Sequence, residues 1–177
     1  GPEGLDAVRG RLRAAEAAAG RPPGSVTLIA VSKVQPPDRV RAVLDGGQRA
    51  FGENRVQEAQ ARWGPLMAEV PGLDLHLVGP LQANKARAAV QLFGTIHSLD
   101  RPRLAEALAR LAQERGASPN LLVQVNTGRE PQKAGCDLDE AEALVRLARG
   151  LDLPVRDAFH GVHVGVILAA EDVGSSW

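Results

Sequence analysis

Lys33 closes the run Val26-Thr27-Leu28-Ile29-Ala30-Val31-Ser32-Lys33, an apolar, β-branched stretch bounded by Pro22-Pro23-Gly24 and Pro36-Pro37. Such a run reads as a strand buried at its centre, so its last residue sets an ammonium at the mouth of an apolar surface. An amine held there loses hydration, which favours the free base that condenses with an aldehyde to a Schiff base. Alternation with period two puts Thr27, Ile29, Val31 and Lys33 on one strand face. The plainer reading is a solvated strand-end lysine, and the surrounding residues decide between the two.

Other polar groups recur just after strand-like runs: Glu53 and Asn54, Gly79 to Asn84, Asp100, and Asn126 to Gly128. Glu53 reads as a rim residue paired with Arg55 or Lys85. Gln82 and Asn84 read as caps of the helix that follows. His160 and His163 are too closely spaced for one helical face and have no cysteine or carboxylate pattern around them, which argues against a metal site. Neither a GxGxxG nor a Walker-type glycine loop is present. The single cysteine, Cys136, excludes an intrachain disulfide and fits a reducing compartment.

The elements that must position these groups alternate. Leu5, Val8, Leu12 and the alanines up to Ala19 predict a helix stopped at Gly20. Strands are expected to Lys33, around Arg49–Asn54, at Leu73–Val78, at Thr95–Leu99 and at Leu121–Asn126. Helices are expected after each, the one following Asp100 with Pro102 in its first turn. This βα alternation calls for a parallel sheet covered by helices, either doubly wound or closed as a barrel. In both architectures the strand C-termini carry the chemistry.

Bulk properties set limits. The 177 residues are 44% hydrophobic with a net charge of zero, as expected of one cored globular domain spanning 1–177. The charge balance argues against a nucleic-acid footprint. No stretch reaches the length of a membrane span, and the N-terminus lacks signal-peptide character, so a cytoplasmic location is expected.

Three ordered motifs carry a resemblance: Ala30-Val31-Ser32-Lys33, Arg49-Ala50-Phe51-Gly52-Glu53-Asn54-Arg55-Val56-Gln57-Glu58, and His76-Leu77-Val78-Gly79-Pro80-Leu81-Gln82-Ala83-Asn84-Lys85. With Ile96-His97-Ser98-Leu99-Asp100, Val123-Gln124-Val125-Asn126 and Lys133-Ala134-Gly135, they make residues 4 to 155 resemble the pyridoxal-phosphate homeostasis protein family. The resemblance implies a TIM-type (β/α) barrel like the alanine racemase N-terminal domain. It also implies pyridoxal 5′-phosphate held as an aldimine on Lys33. Asn54 and His76 are then candidate contacts to the pyridine ring or its 3′-oxygen. Lys133, in a loop where related racemases have an arginine, would place positive charge near the cofactor. For Asn54, His76 and Lys133 alike, an ordinary loop or structural role is the competing reading.

From residue 156 the chain leaves the family pattern. Arg156 to Trp177 contains neither the Gly-Leu-Met motif nor the family's phosphate cup, so an incomplete barrel of about six strands and weakly held cofactor are expected. Residues 162–168 would serve as a substitute strand, or open sheet edges would pair two copies into a homodimer. The expected function is non-catalytic pyridoxal 5′-phosphate binding in intracellular vitamin B6 homeostasis, with cofactor-dependent apo-enzymes as partners. The alternatives are a racemase-like enzyme, which the absence of tyrosine disfavours, and a truncated chain with weakened binding.

Overall fold

The computed structural model describes residues 2–126, 128 and 130–156. The histidines His160 and His163 and the 162–168 stretch lie outside the described residues. Helix α1 (Pro2–Ala18) precedes five βα steps: β1 (Ala30–Val31), α2 (Pro37–Asp45), β2 (Ala50–Glu53), α3 (Val56–Trp63), β3 (Asp74–Leu77), α4 (Ala86–Leu92), β4 (Thr95–Leu99), α5 (Pro102–Arg115), β5 (Asn120–Val123) and α6 (Leu138–Gly150). All strand pairs are parallel and the sheet order is β1-β2-β3-β4-β5. A doubly wound sheet reverses its strand order partway; this one does not. Val155 bridges in parallel to Leu121, so the chain starts a sixth position in the same sequence. This is the wall of a TIM-type barrel.

The wall has two faces. Ala30, Phe51, Leu75, Leu77, Ile96, Leu99 and Leu121 pack with Val43, Trp63, Ala89, Leu108 and Leu144 from the helices into one apolar core. Helices α3, α4, α5 and α6 lie side by side in succession, and α1 packs on α2. The alternate strand positions turn the other way, as period two requires. There the side chains of Ile29 and Val31 converge over Gly52, and His76 meets His97.

The first strand is much shorter than its sequence suggests. Only Ala30 and Val31 join the ladder, because the residues before them are held by side chains. Glu16, 2% exposed, accepts the Val26 N–H at 3.1 Å, and Gln48 Nε2 donates to the Leu28 carbonyl at 2.7 Å. These bonds satisfy backbone groups that a ladder partner would otherwise take. The Val26 bond is also the main cause holding the Glu16 carboxyl below its usual range, against the opposing effect of burial.

Helix starts also differ from expectation in detail. Asp100 does not cap α5: its carboxylate accepts Arg101 Nη1 at 2.8 Å and the Gly135 N–H at 3.1 Å, while Pro102 occupies the first turn as foreseen. Asn84 lies in a single 3₁₀ turn, Ala83–Lys85, without a side-chain cap. Helix α6 has a full capping box, Asp137 with Glu140, satisfying two amide donors reciprocally.

Candidate functional site

The strand registers place the polar groups. Val31 is opposite Gly52, Gly52 opposite His76, and Leu77 opposite Ile96. Val31, Gly52, His76 and Thr95 share one register level on the inner face, and counting two residues on along each chain brings Lys33, Asn54, Val78 and His97 to the next level, Lys33 in the turn that follows β1. The upper row is the barrel mouth.

Lys33 follows the last ladder bond of β1, where the Ser32 N–H donates to the Gly52 carbonyl at 3.0 Å. The dehydrated amine expected from the apolar run is not what forms: Lys33 is exposed. It makes no hydrogen bond or ion pair among the described residues. Its stem leaves a well-fixed base. Ser32 Oγ donates to the buried carboxylate of Glu53, which also accepts Arg62 Nη1 at 2.6 and 2.7 Å and Trp63 Nε1 at 2.8 Å. Glu53 is therefore not a rim residue paired with Arg55 or Lys85. It is fully buried on the helix-facing side and ties the ends of β1 and β2 to α3. Val34, next to Lys33, has φ +58°, a left-handed conformation that strains a β-branched residue.

Asn54 is half-buried, and its side-chain amide has no partner among the described residues. Its backbone is clamped by Gly79: a Cβ there would lie 2.8 Å from the Asn54 carbonyl carbon and 2.9 Å from its Cα. Only glycine lets the two loops approach so closely. Between these loops opens a cleft of about 680 Å³ lined by Asn54, Arg55, Val78, Gly79, Gln82 and Lys85. It begins one strand away from Lys33, at the same end of the sheet.

His76 sits one row lower than a mouth residue. It is 6% exposed, with Nε2 3.0 Å from Asp74 Oδ2 and Nδ1 2.9 Å from His97 Nε2. The bond from His76 is the main cause lowering the Asp74 carboxyl's pKa. Burial, reinforced by the charge of His76, pushes His97 down to about 4, only partly opposed by Asp74. His97, named in a motif but not as a site residue, is the histidine that reaches the mouth. The alternation of Ile96-His97-Ser98 indicates only its face; its meeting with His76 follows from the β3–β4 register, which the sequence does not show.

Lys133 lies in the loop after β5, four strands along the sheet from Lys33. It is exposed and its Nζ is 2.7 Å from Glu130 Oε2. Asn126 organises this loop, donating from Nδ2 to the Glu130 carbonyl at 2.6 Å and accepting the Glu130 N–H at 3.3 Å. Gly135, at φ +109°, packs on Asn126 so closely that a Cβ would lie 2.7 Å from its nitrogen. The charge of Lys133 is thus balanced locally, and the structure does not place it in the row with Lys33.

Among the described residues no group of three or more His, Cys, Asp or Glu side chains is arranged to hold a metal ion. No helix among the described residues is long and apolar enough to cross a membrane.

The chain resembles proteins of known sequence and structure. Residues 4–162 match the family described as alanine racemase, N-terminal domain. The pyridoxal phosphate homeostasis protein of Pseudomonas aeruginosa is 40% identical over 152 residues, 84% of this chain and 64% of that protein. Its namesake from Escherichia coli K12 is 40% identical over 144 residues, 79% of this chain and 60% of that protein. The chain therefore spans less than two thirds of the length of these two relatives. The structure of PipY from Synechococcus elongatus with pyridoxal phosphate bound superposes with a TM-score of 0.73 at 41% identity, covering 95% of this chain and 71% of PipY. The motifs, the unbroken strand order and these matches agree: the chain belongs to the alanine racemase N-terminal domain family.

Proposed function

We propose that this chain binds pyridoxal 5′-phosphate at the barrel mouth, with Lys33 as its covalent anchor, and acts as a non-catalytic carrier in intracellular vitamin B6 homeostasis. The observation that carries the reading is Lys33 itself, an exposed amine in the turn just after β1 with no hydrogen bond or ion pair among the described residues, its neighbour Ser32 tied to Glu53. When bound, the cofactor supplies an aldehyde that is electrophilic toward amines. The residues present suit such a group. Lys33 offers the amine, Asn54 an unengaged amide, and Arg55 and Lys85 line the adjoining cleft with positive charge suited to a phosphate. A cleft of about 680 Å³ is within the size range of small-molecule sites. His76 supports the site from below, and Lys133 adds positive charge to the rim only if its pair with Glu130 opens.

The non-catalytic reading is favoured over a racemase-like one by the groups in the mouth row. Among the described residues the imidazole at that level is His97, held neutral down to about pH 4, a poor match for abstracting a carbon-bound proton near neutrality. The chain contains no tyrosine to serve as a second base. Passing the cofactor to apo-enzymes, and a reducing intracellular location, belong to this proposal.

The test is equilibrium binding of pyridoxal 5′-phosphate followed by its visible absorbance, with wild type, Lys33→Ala and Lys85→Ala compared. Saturable binding lost in Lys33→Ala and retained in weaker form in Lys85→Ala is expected. Undiminished binding by Lys33→Ala would overturn the anchor. Incubation of the loaded protein with L-alanine should leave no D-alanine; steady production of it would favour the enzyme reading.

A further inference from the structure

Resting on the cofactor reading above, we propose that His97 is a second ligand contact. An Asp74–His76 pair, the carboxylate exposed and the imidazole buried, fixes its tautomer so that Nδ1 presents a hydrogen-bond acceptor to the bound ring. The argument follows the protons. Asp74 is a carboxylate and can only accept, so His76 Nε2, 3.0 Å away, carries a hydrogen. With that single hydrogen on Nε2, the His76 imidazole turns a bare Nδ1 to His97 Nε2, 2.9 Å away, and the proposal takes this Nδ1 as the acceptor. With its proton on Nε2, neutral His97 is left with a lone pair on Nδ1. That nitrogen has no partner among the described residues and is not buried among unsatisfied atoms.

Register places this acceptor in the mouth row, three strands from Lys33, about 14 Å along the curved wall at about 4.8 Å per strand. A ring anchored at Lys33 and extending over Asn54 and Val78 comes within reach of His97. The rings of His76 and His97 are tilted by 52° with centroids 5.2 Å apart, so their contact is edge-directed, as a hydrogen bond requires, and not a stack. The ligand must answer with a donor: a protonated pyridine nitrogen or a phenolic hydroxyl satisfies His97, and an analogue with only acceptors at that edge does not. Asp74 and His76 are positioning residues here, and His97 is the contact.

The experiment uses protein labelled with ¹⁵N-histidine, with imidazole nitrogen shifts read before and after saturation with pyridoxal 5′-phosphate. Intact mass after borohydride reduction is measured on the same sample. The proposal expects His97 Nδ1 to resonate as an unprotonated nitrogen in the free protein and to shift on loading, while the His76 pattern is kept. It further expects His97→Ala to weaken binding by about tenfold, the weight of one hydrogen bond, with the reduced adduct still on Lys33. Asp74→Asn should redistribute the His97 tautomers. An adduct on Lys33 with an unmoved His97 shift overturns the His97 contact alone. Absence of any adduct overturns the cofactor reading, and the His97 contact with it.

Discussion

The carboxylate of Glu53 lies 2.8 Å from the indole nitrogen of Trp63, at the point where β2 gives way to the loop bearing Asn54. The same carboxylate receives Ser32 and Arg62, so one fully buried anion joins the bases of Lys33 and Asn54 to helix α3. Glu53→Ala leaves a mostly buried guanidinium and an indole N–H without partners, and a loss of about 3–5 kcal/mol is expected. Glu53→Gln, which still accepts from Trp63, should lose clearly less. Urea unfolding of the two variants checks the order.

Gly79 and Asn54 give a steric prediction. A Cβ at position 79 would overlap the Asn54 backbone, so Gly79→Ala must push the two loops apart. A loss of about 1–3 kcal/mol is expected, with weaker cofactor binding because Asn54 moves. Thermal melts and a binding titration on the same preparation separate the two effects.

How much of this was legible in the sequence depends on how local each feature is. Strand β4 was readable to the residue, since Thr95–Leu99 is an apolar run between clear stops. Strand β1 was not, because Glu16 and Gln48, distant in sequence, occupy the backbone groups of Val26 and Leu28. Lys33 falls just past the end of β1, near where the apolar run and its proline bounds put it. His97 could not be placed in this way, because its meeting with His76 depends on the β3–β4 register, a non-local quantity. The partners of Glu53 were missed for the same reason: Arg62 and Trp63 face it only once α3 has packed.

The pH dependence of stability should carry the mark of His97. Its folded pKa, about 4, lies below the ordinary 6.5, so between these values the unfolded chain takes up a proton that the folded chain refuses. Stability then falls as pH drops from about 6.5 to about 4, by about 1–2 kcal/mol after allowance for partial exposure. The Asp74 carboxyl, also shifted down, acts in the same direction but only at lower pH: its stabilising effect is kept above the usual carboxylate pKa and lost as pH falls through the folded value. His97→Ala should flatten the upper window in denaturant titrations across this range.

Val34, 85% exposed at φ +58°, buries almost nothing in exchange for its strain. Val34→Asn, a residue that tolerates the left-handed region, should raise stability by about 1 kcal/mol. A higher midpoint in urea with an unchanged slope is the expected result.

The central claim is that Lys33 is the anchoring amine. The chain's lysines are Lys33, Lys85 and Lys133, so reduction of the pyridoxal 5′-phosphate-loaded protein with borohydride, followed by peptide mass mapping, has few places to find the label. One equivalent on the peptide containing Lys33 is the predicted result. Label spread over Lys85, Lys133 and the N-terminal amine, with no preference for Lys33, would contradict it.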